Sequence, residues 1–377
     1  MQLTRRNFTL CLAALGISAC AGPTVTTGGT SELPDDLRPV PNASYDAWVA
    51  AFKPRARAAG ISDATLARAF RGTGYLPGVV RRDRNQTEFK RSLEDYLSIA
   101  VSDERVTKGR AALSRHASVL RALETSYGVD AEIITAIWGL ESFYGERRGN
   151  VPVVSATSTL AFDGRRGSFF EKQLIAALKI LQTGDTTSDK LVGSWAGAMG
   201  HTQFIPTSYQ AFAVDFTGDG RRDIWSDDPT DSLASAAAYL SRNGWVRGAS
   251  WGREVTDGTT AGTLQPQPGG PRFAVGQNFR VIKRYNNSDA YAIGVGHLAD
   301  RIAGGGPLQT PFPPDANGLT KDDRIALQRG LTSRGFDTQG ADGVIGPNTE
   351  SAIRAYQASA GLAVTGTPSQ ELLIRLR

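Results

Sequence analysis

Apolar residues in this chain recur mainly at helical spacing. Trp48 and Phe52 are one turn apart, and Leu66, Ala69 and Phe70 repeat the interval. Leu113, Ala117, Leu120, Leu123 and Tyr127 predict one longer helix, which Gly128 stops. Ile134, Ile137 and Trp138 form a stripe in a helix that begins Ala131-Glu132, with Asp130 as its expected cap. Phe170, Leu174, Ala177, Leu178 and Leu181 predict another helix. Leu233, Ala236, Ala237 and Leu240 predict one more, behind Asp231 as a cap. Between Trp251 and Lys283 the texture turns to Gly, Pro and Thr with short alternating runs such as Phe279 to Lys283, which predicts a small β insert. A last helix of the body follows from Asp289. The pattern is mainly α.

Two stretches lack periodicity. Residues 20–41 are rich in Gly, Thr, Ser and Pro, as a flexible tether would be. Gly304-Gly305-Gly306-Pro307, followed by Pro311, Pro313 and Pro314, marks a linker over 304–318. The expected organisation is therefore a leader over 1–19, the tether, a body over 42–303, the linker, and a separate module over 319–377.

Composition narrows the class. Hydrophobic residues at 40% and charged residues at 21% fit a globular body and argue against a disordered or membrane-spanning one. Residues 1–19 read as a signal peptide, with Arg5 and Arg6 before an apolar stretch from Phe8 to Ala19 that is too short to span a bilayer. Ile17-Ser18-Ala19-Cys20 resembles the lipobox of bacterial lipoproteins, which makes Cys20 the expected acylated N-terminus and the membrane a partner through that lipid. Ala21 after it points to the periplasmic face of the outer membrane. Thr4 to Leu10 also resembles a twin-arginine export signal. Cys11 and Cys20 are the only cysteines, so the mature body forms no internal disulfide. The formal charge of +5 falls to +3 once the two leader arginines are gone, and no basic run is interleaved with aromatics, which argues against a nucleic-acid partner.

One residue in the helical pattern carries chemistry. Glu141 extends the Ile134, Ile137, Trp138 stripe, and a carboxylate on an apolar face is desolvated, which raises its pKa toward that of a general acid working near neutrality. The same position is compatible with a structural ion pair. Ordinary glycosidases flank the scissile bond with two carboxylates, yet the next acid, Glu146, lies five residues on and faces away.

Ile137-Trp138-Gly139-Leu140-Glu141-Ser142-Phe143-Tyr144-Gly145 and the block from Ser194 to Tyr209 resemble the two signature blocks of the membrane-bound lytic murein transglycosylase B family. The similarity runs in order from about Tyr45 to Ile302. It implies a lysozyme-like catalytic domain and cleavage of the β-1,4 bond between N-acetylmuramic acid and N-acetylglucosamine in peptidoglycan, leaving 1,6-anhydromuramic ends. Glu141 would be the single acid/base. Substrate-contacting roles are implied for Ser194, Gln203, Tyr239, Asn286 and Tyr291. Core packing is the plain alternative for the two tyrosines, and the small Gly197, Ala198 and Gly200 would let backbone lie close to a bound glycan or would serve tight helix packing equally well.

Asp215 to Asp223 matches the start of an EF-hand loop, with Asp215, Thr217, Asp219 and the Arg221 carbonyl at alternate positions and Gly220 at the sharp turn. Ser226 stands where the closing glutamate belongs, so the last ligand must come from Asp227, Asp228 or Asp231. Asp231 completes the expected set for a structural Ca²⁺. The family resemblance, which includes a divergent calcium site here, points the same way, and an Asx-turn loop without metal is the alternative. No cofactor is expected for catalysis.

From Leu319 onward, Asp342-Gly343, Gly346-Pro347-Asn348-Thr349 and Tyr356-Gln357 resemble the peptidoglycan-binding domain 1 family, which implies a three-helix bundle with Asn348 or Thr349 capping its second helix. Two rival readings remain: a hydrolytic muramidase using the same Glu141, and a non-catalytic wall-binding lipoprotein. A metallopeptidase is set aside as a weaker reading, because His116, His201 and His297 are the only histidines and no His-Glu-x-x-His helix exists.

Overall fold

The computed structural model describes residues 33–85 and 92–377. The leader, most of the tether and Cys20 lie outside the described residues. Among these residues the chain is mainly helical, and no helix is long and apolar enough to cross a membrane.

The body has two lobes. One contains α1 (Ala43–Ala58), α2 (Asp63–Ala69) and α3 (Pro77–Arg84). The other begins with α4 (Leu93–Ala100), α5 (Asp103–Arg115), α6 (Ala117–Tyr127) and α7 (Ala131–Ser142). The chain then returns to the first lobe through β1 (Val151–Pro152), α8 (Val153–Asp163), α9 (Gly167–Thr183), β2 (Val192–Gly193) and α10 (Pro206–Phe212). That lobe closes on Phe52, Leu174, Leu178, Met199, Phe204 and Tyr209, all buried. Next, α11 (Thr230–Arg242), a small sheet, α12 (Gln277–Tyr285) and α13 (Asp289–Ile302) rejoin the second lobe, whose core includes Leu120, Ile134, Ile137, Leu233, Val295 and Leu298. The sheet is antiparallel in the order β3-β5-β4, from β3 (Gly252–Val255), β4 (Thr263–Leu264) and β5 (Arg272–Val275).

Several local expectations are corrected. The single helix from Leu113 to Tyr127 is two helices that meet at His116, whose amide bonds back to Ala112 and whose carbonyl accepts from Leu120. Phe279 to Lys283 is helical, not extended: Phe279 and Ile282 are buried one turn apart in α12, an interval that alternation over five residues does not distinguish. Asp130 stands at the N-cap of α7, but its side chain makes no capping bond, and its carbonyl accepts from Ile133 and Ile134. Asp231 does not cap α11, which starts after Pro229. The second helix of the terminal module begins at Pro347 behind Gly346, so neither Asn348 nor Thr349 caps it.

The terminal module is a three-helix bundle of α14 (Lys321–Ser333), α15 (Pro347–Ser359) and α16 (Gln370–Leu376) around Leu327, Leu331, Ile353 and Leu373. Residues 304–318 do not form a free linker. The Glu254 carboxylate accepts the amides of Gln309 and Thr310 at 2.8 and 2.7 Å, and Phe312 packs on the second lobe's core. Arg324 of the module, 2% exposed, reaches Glu94 of α4 at 2.6 Å.

Candidate active site

Glu141 lies in the last turn of α7 and is 1% exposed. Burial pushes its carboxyl up to about 8, although the hydroxyl of Tyr291, donating to Oε1 at 2.6 Å, favours the ionised form. Oε2 is buried without a hydrogen-bond partner. The carboxyl is therefore protonated at neutral pH, with one oxygen fixed and one left for a ligand. Tyr291 comes from the first turn of α13, the helix packed against α7. Its bond goes to the acid itself, which makes it a positioning residue for Glu141. Glu146 pairs with Lys108 at the surface at 2.8 Å and is not a second catalytic carboxylate.

The chain just after Glu141 is strained. Phe143 and Tyr144 have φ of 53° and 59°, a region that side-chain-bearing residues rarely enter. Several contacts hold them there. Arg105, Lys108 and Arg147 surround the Phe143 ring, and the Tyr144 hydroxyl donates to the Arg105 carbonyl at 2.7 Å. Ser142 Oγ donates to the His201 carbonyl at 2.5 Å and accepts from the Gly145 amide at 3.0 Å. These bonds tie the acid's helix to the segment that carries Gln203.

His201 completes this tie. Trp138 Nε1 donates to its Nδ1 at 3.1 Å, and its Nε2 lies 2.8 Å from the Ser226 carbonyl, which assigns the neutral tautomer with the proton on Nε2. Burial holds its pKa down to about 4. His201, Ser142 and Tyr285 were not singled out from sequence. The signal that could have found Tyr285 is its place before Asn286, and its buried hydroxyl donates to the Thr202 carbonyl at 2.6 Å.

The expected substrate residues fare differently. Gln203, 2% exposed with φ of 52°, donates to the Arg148 and Gly200 carbonyls at 3.0 and 2.9 Å, while its Oε1 is buried and unpartnered. Asn286 at the end of α12 likewise has a buried, unpartnered Oδ1. Buried carbonyl oxygens left without a partner, like the open Glu141 oxygen, are acceptors for ligand hydroxyl or amide hydrogens. Ser194 Oγ accepts from the Ala198 amide at 3.1 Å in a tight turn. Tyr239 packs among Phe204, Phe212 and Tyr285 and donates its hydroxyl to the Arg284 carbonyl at 2.5 Å. Gly200, at φ of 71°, is small because a Cβ there would strike the Ile224 carbonyl.

Comparison with known proteins agrees with this arrangement. The model of the transglycosylase SLT domain matches residues 44–261 and 256–300, and that of a peptidoglycan binding domain matches 320–376. The chain belongs to the transglycosylase SLT domain family. Membrane-bound lytic murein transglycosylase B of Escherichia coli K12 is 31% identical over 242 residues, which cover 55% of this chain and 66% of that relative. SltB3 of Pseudomonas aeruginosa, solved in complex with NAG-NAM-pentapeptide, is 43% identical with a TM-score of 0.69 and covers 89% of this chain and 100% of its own. Slt35 of Escherichia coli, solved in complex with calcium, is 27% identical with a TM-score of 0.60 and covers 70% of this chain and 93% of its own. These neighbours share the lysozyme-like helical fold.

In this member of the SLT family the 215–231 loop gathers three carboxylates. Asp215, Asp219 and Asp231 bring oxygens within 4.8 Å of one another. Asp231 also accepts the amides of Phe216, Thr217 and Asp223 at 2.9 to 3.0 Å, and burial with the nearby Asp215 charge raises its pKa. The other candidates for the last position are committed elsewhere, Asp227 to Arg148 and Asp228 to Thr230. Three acids converging with no basic side chain among them fit a hard divalent cation.

Proposed function

We propose that the chain is a lytic transglycosylase that cleaves the bond between N-acetylmuramic acid and N-acetylglucosamine in peptidoglycan. The observation that carries the reading is a buried Glu141, driven by burial toward its protonated form, with one oxygen held by Tyr291, the other without a partner, and no charged group among the described residues perturbing it. Glu141 donates its proton to the glycosidic oxygen as the bond to the anomeric carbon breaks. Its carboxylate, steadied by the Tyr291 hydroxyl, then takes the proton of the muramic 6-hydroxyl as that oxygen closes on the same carbon. The acid ends protonated, as it began, and the product is a 1,6-anhydro sugar. Gln203 Oε1 and Asn286 Oδ1 supply acceptors for the sugar. The SltB3 structure in complex with NAG-anhNAM-pentapeptide supports this outcome.

Cys20 carries the lipid that anchors the enzyme to the periplasmic face of the outer membrane, and the terminal module holds it on the wall polymer. Asp215, Asp219 and Asp231, with Thr217 and the Arg221 carbonyl, hold a Ca²⁺ that braces the loop and takes no part in the chemistry. Mass spectrometry of sugars released from purified peptidoglycan tests the reaction. Anhydro ends from the native protein and none from Glu141→Gln are expected. Reducing ends would make it a hydrolase, and no products from either would leave a binding protein.

A further inference from the structure

Among the described residues, four that carry a side chain have positive φ, and three of them lie at the two ends of one contact: Phe143 and Tyr144 directly after Glu141, and Gln203 two residues after His201. Backbone of that kind persists only where its surroundings over-determine it. The residue that joins the two ends is His201, 3% exposed.

His201 holds α7 on both sides of the acid. Its Nδ1 accepts from Trp138 Nε1 at 3.1 Å, about one turn before Glu141, and its carbonyl accepts from Ser142 Oγ at 2.5 Å, one residue after it. The ring also occupies the space beside Gly145, where a Cβ would come within 2.6 Å of Nδ1. On the far side Nε2 donates to the Ser226 carbonyl at 2.8 Å. Arg148 Nη1 stands 3.2 Å from Nε2 but is spent on the Trp225 and Ser226 carbonyls at 2.9 and 2.7 Å, while its Nη2 pairs with Asp227. His116 meets the Trp138 ring edge-on. Burial, with the Arg148 charge, keeps the imidazole neutral against the bond to Ser226 and the pull of Asp227, and only the neutral ring can accept from Trp138. Tyr291 fixes the carboxyl of Glu141; His201 fixes the turn of backbone that carries it.

We propose that His201 is a positioning residue for the lytic reaction: by holding Trp138 and Ser142 together it sets the turn that carries Glu141 against the segment that carries Gln203. The role rests on the function proposed above. It requires no contact between His201 and the substrate.

Two measurements on the full protein test it: kinetics on soluble peptide-free glycan strands, read as anhydro ends released, and titration of the Glu141 carboxyl by carbon-13 NMR without substrate. His201→Leu keeps an apolar side chain and removes both ring bonds, and Trp138→Phe removes the shared bond from the α7 side. Each is expected to lower kcat roughly ten- to hundredfold, the scale of a small misplacement of a reacting group. KM should stay within about twofold, because ground-state binding is untouched. The loosened turn admits water, so Glu141 should titrate below its native value of about 8, and the alkaline limb of kcat should follow it down. His201→Asn, whose amide oxygen can accept from Trp138, should restore much of the rate. The double variant should lose no more than either single one. Native kcat in the folded variants, a loss that only tracks the folded fraction while Glu141 titrates as before, additive losses, no rescue by asparagine, or failure of both single variants to fold would each overturn the proposal. Absence of anhydro ends from the native protein would instead remove the functional reading, and the titration alone would then decide whether His201 sets the acid.

Discussion

Glu141 works because burial opposes its ionisation, and the same burial costs stability. Its folded pKa of about 8 lies above the 4.5 of an ordinary glutamate, so the folded state binds the proton more tightly than the unfolded chain does. That contribution is fully present below about 4.5 and is lost as pH rises through about 8. Glu141→Gln should therefore match the native melting temperature near pH 4 and exceed it increasingly toward pH 9, as calorimetry would show. Activity needs the protonated acid, so kcat/KM should fall as pH rises through about 8. Tyr291→Phe removes the bond that lowers this pKa. The alkaline limb should move upward while the rate drops roughly ten- to hundredfold, the worth of one hydrogen bond to a charged group. Sequence periodicity placed Glu141 on an apolar stripe, but its positioning tyrosine lies 150 residues away, and only packing of α13 on α7 brings the two together.

At the scale of elements, the helices with long apolar stripes were legible and the boundaries were not. Phe279 to Lys283 alternates as a strand would, yet the buried Asn278 beside it bonds the Val246 and Ala249 backbone and anchors a helix there. The break at His116 carries no Gly or Pro and so leaves no local mark. The 215–231 loop shows the same division: the alternate oxygens and Asp231 were named from the sequence, whereas the commitment of Asp227 to Arg148 and of Asp228 to Thr230 is visible only in the fold. If that loop holds calcium, Ca²⁺ at a hundredfold excess over its Kd should stabilise the protein by about 2.7 kcal/mol. Asp231→Ala should abolish the effect. A melting temperature that does not respond to Ca²⁺ or to a chelator would leave only the turn role.

For the whole molecule, the decisive contact is Arg324 with Glu94. The guanidinium is 2% exposed and the carboxylate 9%, so removing one partner leaves a buried charge unanswered. Arg324→Met should cost about 3–5 kcal/mol in urea unfolding. Adding Glu94→Gln should recover much of it, and a double-mutant cycle would measure the coupling. Small-angle scattering should show the module swinging free in the single variant. If the scattering curve is unchanged, the Glu254 bonds to the 304–318 segment and the packing of Phe312 hold the module without this pair.

By itself the sequence determined the helical class, the position of the acid, the two signature blocks and the terminal module, because each depends on residues close together in the chain and on periodicity that local geometry enforces. Tertiary structure alone decided which oxygens stay unpartnered, that Tyr239 packs while Tyr291 holds the acid, and that a Gly- and Pro-rich linker is a pinned strap. Those outcomes depend on contacts across 45 to 230 residues, such as Tyr239 with Arg284 and Arg324 with Glu94, where packing and charge burial choose among partners that no local pattern distinguishes.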